Sequence, residues 1–401
     1  MMRLYYDDAY TRQFTARIVE RLTLADHPAV ILDRTYFYPT SGGQPNDTGT
    51  LGGAALLDVQ ARKEDGAVVH VLASEIASDE VEGVVDWARR FDHMQHHTGQ
   101  HILSQAFVQI AAASTVGFHM GSDSITIDLD QASIRADWVA AVEALANEVV
   151  WADRPVTARI IQPDDTEGVR IRKLPEHLLT GGLRIIDIDG FDVTACGGTH
   201  VRRTGEIGLI KILKLEKRGD KTRVEFRCGA RALADYREKN AVANQLSADL
   251  TCALAEIPQA VGRLQEDIKA AQRSLKAANG LLIEAEAERL AAQAIAQNGV
   301  KIVRLNFPGR DFADVRGLAT SIVQRPGMIA LLAVSGEKPQ LVFARSADLS
   351  HDMNALLKQT LTLLANGRGG GTPQMAQGGG SGDEAQISEA LNAAERSLVS
   401  S

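Results

Sequence analysis

The chain has 401 residues, 45 % of them apolar, and a net charge of −8. It is too long for one ordinary domain and apolar enough to build true cores. Three cysteines, Cys196, Cys228 and Cys252, exclude a disulfide framework. No apolar run reaches the roughly 18 residues that span a bilayer, and the N-terminus lacks the apolar stretch of a signal peptide. A soluble cytoplasmic protein with no membrane partner is therefore expected. The acidic balance argues against a general nucleic-acid binder. Residues 201–240 depart from it, with 12 Lys/Arg against 6 Asp/Glu. A basic segment on an acidic chain can still meet a phosphate backbone, although a solvated charged face reads the same way.

The expected class is α+β in four parts. Residues 1–90 predict a small N-terminal β-barrel, with strands at 29–38, 55–59 and 67–72 and a turn-forming run at 39–45. Residues 91–231 predict an α+β metal-binding domain. His97, His101, Leu103 and Phe107 recur at helical spacing through about residue 112. Strands are expected at 124–130, 183–189, 208–215 and 222–227, and an amphipathic helix at 132–147. Residues 232–300 are nearly free of strand formers. Ile257, Val261, Leu264, Ile268 and Leu275 follow a period near 3.5, predicting a helical hairpin or short coiled-coil spacer that Gly280 bends or breaks. Residues 301–401 predict a C-terminal α/β domain, with strands at 301–307, 328–334 and 340–344 and helices at 311–323 and 350–364. The glycine-rich run 366–381, which carries Arg368, predicts a functional loop whose backbone comes close to something.

Chemistry concentrates in two segments. His97 and His101 lie four apart, so they share one helix face. About a hundred residues later Cys196 and His200 flank Gly197 and Gly198, which are expected to use positive φ to bring the two ligands together. A thiolate and three imidazoles suit one Zn²⁺. Each pair alone is weak, because such histidines are often only packed, and the four together are specific. His93 and His96 are read as surface or supporting residues on other faces. Asp92 and Asp128 are candidates to orient the ligand histidines. The helix has no Glu in the H-E-x-x-H position, which removes the metallopeptidase reading. Four protein ligands also close a tetrahedral shell, the mark of a structural metal. His119 could orient water or contact a carbonyl beside it, or be a packed loop histidine. Thr98, next to His97, could line the pocket or simply pack.

The segments 97–101 and 196–200 together resemble the editing domain of alanyl-tRNA synthetase and the free-standing alanyl-tRNA editing proteins, the AlaX family. Residues 37–44 with 47–49 resemble the glycine motif that precedes that core. Residues 201–208 resemble its continuation, and 366–381 the glycine-rich end of the C-terminal domain shared with the DHH phosphoesterases. With no aminoacylation domain ahead of these motifs, the long free-standing form is expected. The resemblance implies a deacylase that acts in trans on tRNA(Ala) mischarged with Ser, and also with Gly, since a synthetase pocket rejects a near-isostere by only about 10²-fold. It implies that His97, His101, Cys196 and His200 bind zinc. Gly42 and Gly43 would border the substrate, with Thr98 beside them. His119 would stand where the synthetase usually has Gln, polarising the ester or placing water. Arg202, Arg203 and Arg368 would reach tRNA, and the helical or C-terminal region could form a homodimer. The alternatives are a non-catalytic tRNA-binding protein with a structural zinc, and a metal-dependent phosphoesterase, which the lack of an Asp-His-His motif disfavours.

Overall fold

The computed structural model describes residues 2–122, 124–162, 166–171 and 182–399. The chain divides into two compact units, Met1–Gln245 and Leu246–Ser401. In the first unit, six strands close the expected barrel in the order Gln13–Leu24, His27–Leu32, Val68–Leu72, Ala54–Ala61, Gly49–Leu51 and Glu80–Val85. Leu32, Phe37, Leu51, Val59 and Leu72 fill it. The predicted strand at 29–38 is shorter than its composition implies. It pairs over His27–Leu32, and Arg34–Thr35 then pairs in parallel with Met2–Arg3. Phe37 and Tyr38 are buried beyond the ladder, where they carry the chain into the glycine motif.

Helix α1, Trp87–Ala111, starts where the Asp86 carboxylate accepts from the Arg89 N–H. It ends at Ala112, which adopts φ 49°. Its apolar residues Met94, Ile102, Leu103, Ala106 and Phe107 are fully buried against an antiparallel sheet. That sheet runs Ile210–Arg218, Lys221–Cys228, Ile125–Leu129, Thr115–Met120. Helix α2, Ala136–Trp151, covers the same core through Val142, Ala146, Val149 and Val150. A second sheet joins Val156–Ile161, Leu183–Ile188 and Asp192–Ala195, so the chain leaves its last strand directly into Cys196. Helix α3, Gly229–Asp249, follows the last strand of the first sheet.

In the second unit, helix α4 runs unbroken from Ile257 to Gln293. The expected break at Gly280 does not occur, because one helical glycine costs only about 1 kcal/mol. The expected apolar seam is exposed. Leu264, Ile268 and Leu275 stay in solvent, and α4 packs instead through Ala287 and Ala291, with Ile283 and Leu290 beside them. Their partner is α5, Phe312–Ile322. A six-stranded sheet follows in the order Ala296–Gln297, Val300–Asn306, Met328–Val334, Gln340–Arg345, Met375–Ser381, Ala365–Gly371. Only Val300–Asn306 and Met328–Val334 are parallel. Helices α6, Met353–Leu361, and α7, Glu384–Val399, close its core.

The glycine run is therefore not a loop. It forms the hairpin strands Ala365–Gly371 and Met375–Ser381. A Cβ on Gly369 would lie 2.5 Å from the Gly378 Cα, and one on Gly367 would lie 2.2 Å from the Leu361 carbonyl. The close approach expected of this backbone is to its own partner strand and to α6.

Candidate metal centre

The four predicted ligands meet. One donor atom from each of His97, His101, Cys196 and His200 lies within 4.8 Å of the others. The Cys196 Sγ stands 3.3 Å from the His97 Nε2, close to the edge of about 3.6 Å that a tetrahedral Zn–N,S site would show. His200 Nε2 is buried and has no hydrogen-bond partner among the described residues. Burial, with His97 alongside, holds the His200 imidazole well below its usual pKa and therefore neutral. Three imidazoles and one thiol at such spacing fit Zn²⁺ better than hard cations, which prefer oxygen.

The orientation of each ligand has a cause. Gln44 is fully buried, and its Oε1 accepts from the His97 Nδ1 at 2.7 Å and the Thr199 N–H at 3.1 Å. Its amide donates to the Thr199 hydroxyl at 2.8 Å. With Oε1 as the acceptor, the His97 proton sits on Nδ1 and Nε2 is free for a metal. The Thr98 hydroxyl meets His200 Nδ1 at 3.2 Å and accepts from the Val201 N–H. Thr98 thus holds a ligand. Arg170, itself paired with Asp192, reaches His101 Nδ1 at 3.5 Å. Arg184 donates to the carbonyls of Cys196 and Gly198 at 2.8 and 3.0 Å, bracing the turn between the ligands.

The glycines of that turn act through space and not through φ. Neither Gly197 nor Gly198 has positive φ. A Cβ on Gly198 would come within 2.1 Å of the His97 ring. Positive φ occurs instead in the barrel-side motif, at Gly42 (57°) and Gly43 (87°). There a Cβ on Gly43 would lie 2.6 Å from the Phe118 carbonyl oxygen, and the Gly43 carbonyl accepts from the Met120 N–H. Phe118 in turn packs on the His97 ring, centroids 5.3 Å apart. The Gly42-Gly43 turn is thereby tied to the metal corner.

Helix α1 holds this motif at two points seven residues, or two turns, apart. His97 takes Gln44, and Arg90 takes Asp47. Arg90 and Asp47 are both completely buried; Arg90 also donates to the Ala9 and Tyr36 carbonyls, and Asp47 accepts from the Tyr38 N–H. Gln44, Asp47 and Arg90 were missed as site-forming residues. Their only sequence signal is that Gln44 and Asp47 sit in the glycine motif while Arg90 precedes His97 by two turns.

Other expected residues lie elsewhere. His119 is on the strand Thr115–Met120, on the face opposite Phe118. Its side chain is 64 % exposed and lies 3.7 Å from Asp128, which is paired with Arg223. Asp92 binds Arg231 and His96, so neither Asp92 nor Asp128 orients a ligand. His93 and His96 are not surface residues. His93 lies four before His97, on the ligand face, and is buried; burial pulls its pKa down to about 3. His96 is buried between the Asp92 carbonyl and the Cys228 N–H, fastening α1 to the sheet. Arg202 stacks on Tyr10 and pairs with Asp8, and Arg203 pairs with Asp153; all four charged side chains are partly exposed. Arg368 is exposed on the C-terminal hairpin.

Residues 183–225, which include Cys196 and His200, match the model of the threonyl and alanyl tRNA synthetase second additional domain. Residues 4–89 match that of class II (A) tRNA synthetases. Barrel, metal corner and both matches define a relative of the alanyl-tRNA synthetases. Over 399 residues the chain is 31 % identical to the alanyl-tRNA editing protein AlaX-L of Pyrococcus horikoshii, covering 94 % of each. It is 34 % identical to the alanine–tRNA ligases of Pyrobaculum neutrophilum and Methanoregula boonei, over 98 % and 94 % of its own length. It spans only 44 % and 41 % of those ligases. The chain belongs to the AlaX-L family of alanyl-tRNA editing proteins. No helix among the described residues is long and apolar enough to cross a membrane.

Proposed function

We propose that the protein is a deacylase that hydrolyses mischarged tRNA(Ala) in trans, seryl-tRNA(Ala) first and glycyl-tRNA(Ala) second, and works in the cytoplasm without ATP. The observation that carries this reading is the convergence of four metal-ligand donors beside a rigid glycine turn, in a chain of the AlaX-L family. In the reaction, water attacks the ester carbonyl carbon, the bond to the terminal ribose oxygen breaks, and free amino acid leaves the tRNA.

His97, His101, Cys196 and His200 would hold one zinc ion. Zinc bound there would supply a fixed positive charge and, if a coordination position opens, polarise a carbonyl. The chain's own residues do the shaping. Gln44 and Thr98 fix two imidazoles, Arg184 fixes the thiol turn, and the Gly42-Gly43 turn presents backbone, with no room for a side chain at Gly43. Backbone at the Gly42-Gly43 turn would favour a small aminoacyl group such as seryl or glycyl. Arg202 and Arg203 supply exposed charge for tRNA phosphate, since surface ion pairs of about 0–1 kcal/mol yield to a polyanion. Arg368, exposed on the C-terminal hairpin, would supply further charge for tRNA, and His119, exposed beside Asp128, is assigned no step.

The closed ligand count favours one rival, a tRNA-binding protein whose zinc is only structural. Hydrolysis of seryl-, glycyl- and alanyl-tRNA(Ala) by the full chain decides between them. The deacylase reading expects release of Ser and Gly with alanyl-tRNA(Ala) spared; tRNA binding with no release from any of the three would establish the rival.

A further inference from the structure

A cavity of about 110 Å³ lies behind the metal corner, and nothing above assigns it a role. Its walls come from the N-terminal segment 5–10 and from the strands Val156–Ile161 and Leu183–Ile188, and ligand His200 also lines it. Two flat cation–aromatic stacks face it. The Arg184 guanidinium lies 5.1 Å above the Tyr6 ring, and that of Arg202 lies 3.9 Å above Tyr10. Arg184 gives its protons to the carbonyls of Cys196, Gly198 and Tyr6, and among the described residues no carboxylate pairs with it. Tyr5 completes the lining with a buried hydroxyl that has no partner in hydrogen-bonding geometry among the described residues.

We propose that this cavity receives the edge of one unpaired nucleobase of RNA, packed against the Arg184–Tyr6 and Arg202–Tyr10 stacks. The proposal rests on the deacylase reading for its substrate, an aminoacylated RNA end. At about 110 Å³ the cavity is smaller than one of about 150 Å³ that encloses benzene, so only the edge of a base enters it. Proteins that read unpaired RNA stack splayed bases on aromatic rings and guanidinium planes, and meet their edges with hydrogen bonds. Asp7 and Asp8 line the same space. Their carboxylates suit the exocyclic amine of cytosine. Because His200 is shared, a base held here would anchor the strand next to the metal corner while the ester lies on the ligand side.

The test uses the full chain and an acceptor-stem minihelix of tRNA(Ala), once with an unpaired 3′ ACCA end and once blunt. Binding is read by fluorescence anisotropy on wild type, Ala158→Trp and Arg202→Ala. Ala158 is exposed and lines the cavity, so Trp fills the space without entering a core. Wild type is expected to prefer the unpaired end by about tenfold or more. Ala158→Trp should reduce that preference to about one with blunt-end binding and zinc content unchanged, and Arg202→Ala should reduce it part-way. Abasic substitution at one cytidine should reproduce the loss. Equal preference in wild type and both variants, or no preference in wild type, overturns the proposal. Seryl-tRNA(Ala) hydrolysis measured in parallel separates the two readings. Preference without hydrolysis sinks the deacylase and leaves the cavity; hydrolysis without preference sinks the cavity alone.

Discussion

Around the metal corner glycines come in two pairs, and in each pair one member, Gly43 or Gly198, sits where a particular neighbour needs the room, whereas between Ala365 and Ser381 they fill two paired strands. Gly198 gives way to the His97 ring, and Gly43 to the backbone of Phe118. In the C-terminal hairpin Gly369 and Gly378 give way to each other, and Gly367 to the last turn of α6. Both regions look alike in composition. The first uses glycine to bring a ligand and a backbone wall into register; the second uses it to pack a hairpin tightly onto a helix. Glycine density therefore marks close approach, while the identity of the neighbour decides whether that approach serves a site.

Substitution breaks the two regions differently. Gly198→Ala places a methyl 2.1 Å from the His97 ring, with Gln44 Oε1 3.0 Å away. It is expected to cut bound zinc, measured by elemental analysis, from one per chain to less than about a tenth, because ligand geometry tolerates little displacement. Gly369→Ala meets Gly378 Cα and the Gln377 carbonyl instead. It should destabilise the second unit by about 1–3 kcal/mol, as overpacking does, seen as an earlier step in denaturant unfolding, with zinc content unchanged. Zinc loss in Gly369→Ala, or retention in Gly198→Ala, would erase the distinction. Gln44→Leu is the milder probe. It keeps the ligands but leaves the His97 Nδ1 proton without its acceptor, and should weaken zinc affinity in chelator competition by about 10–100-fold.

The four candidate ligands were legible because their residue types and the i, i+4 spacing speak locally. The barrel and most strands were legible from alternation and turn residues. What lay hidden depends on contacts far apart in sequence. Gln44 reads as one more turn residue until folding brings it to His97 and Thr199, and Asp47 until it meets Arg90. His93 was misplaced by face arithmetic, since four residues back from His97 is the same face. Asp92 and Asp128 had the right chemistry for ligand partners but face Arg231 and Arg223. The 366–381 run deceived because glycine clusters usually mean loops, and here the strands come too close for a Cβ at Gly369, Gly371 or Gly378. The seam on α4 has the right period, yet among the described residues the helix buries alanines instead.

The central claim is that the corner formed by His97, His101, Cys196 and His200 is a hydrolytic site and more than a staple. Single-turnover hydrolysis of seryl-tRNA(Ala) by wild type and Cys196→Ala, with zinc content and tRNA affinity recorded on both, tests it most directly. The account predicts that Cys196→Ala loses zinc and at least about a hundredfold of the hydrolysis rate, on the scale of a catalytic interaction, while binding tRNA within about threefold of wild type. Hydrolysis at the wild-type rate by a zinc-free Cys196→Ala protein would contradict it.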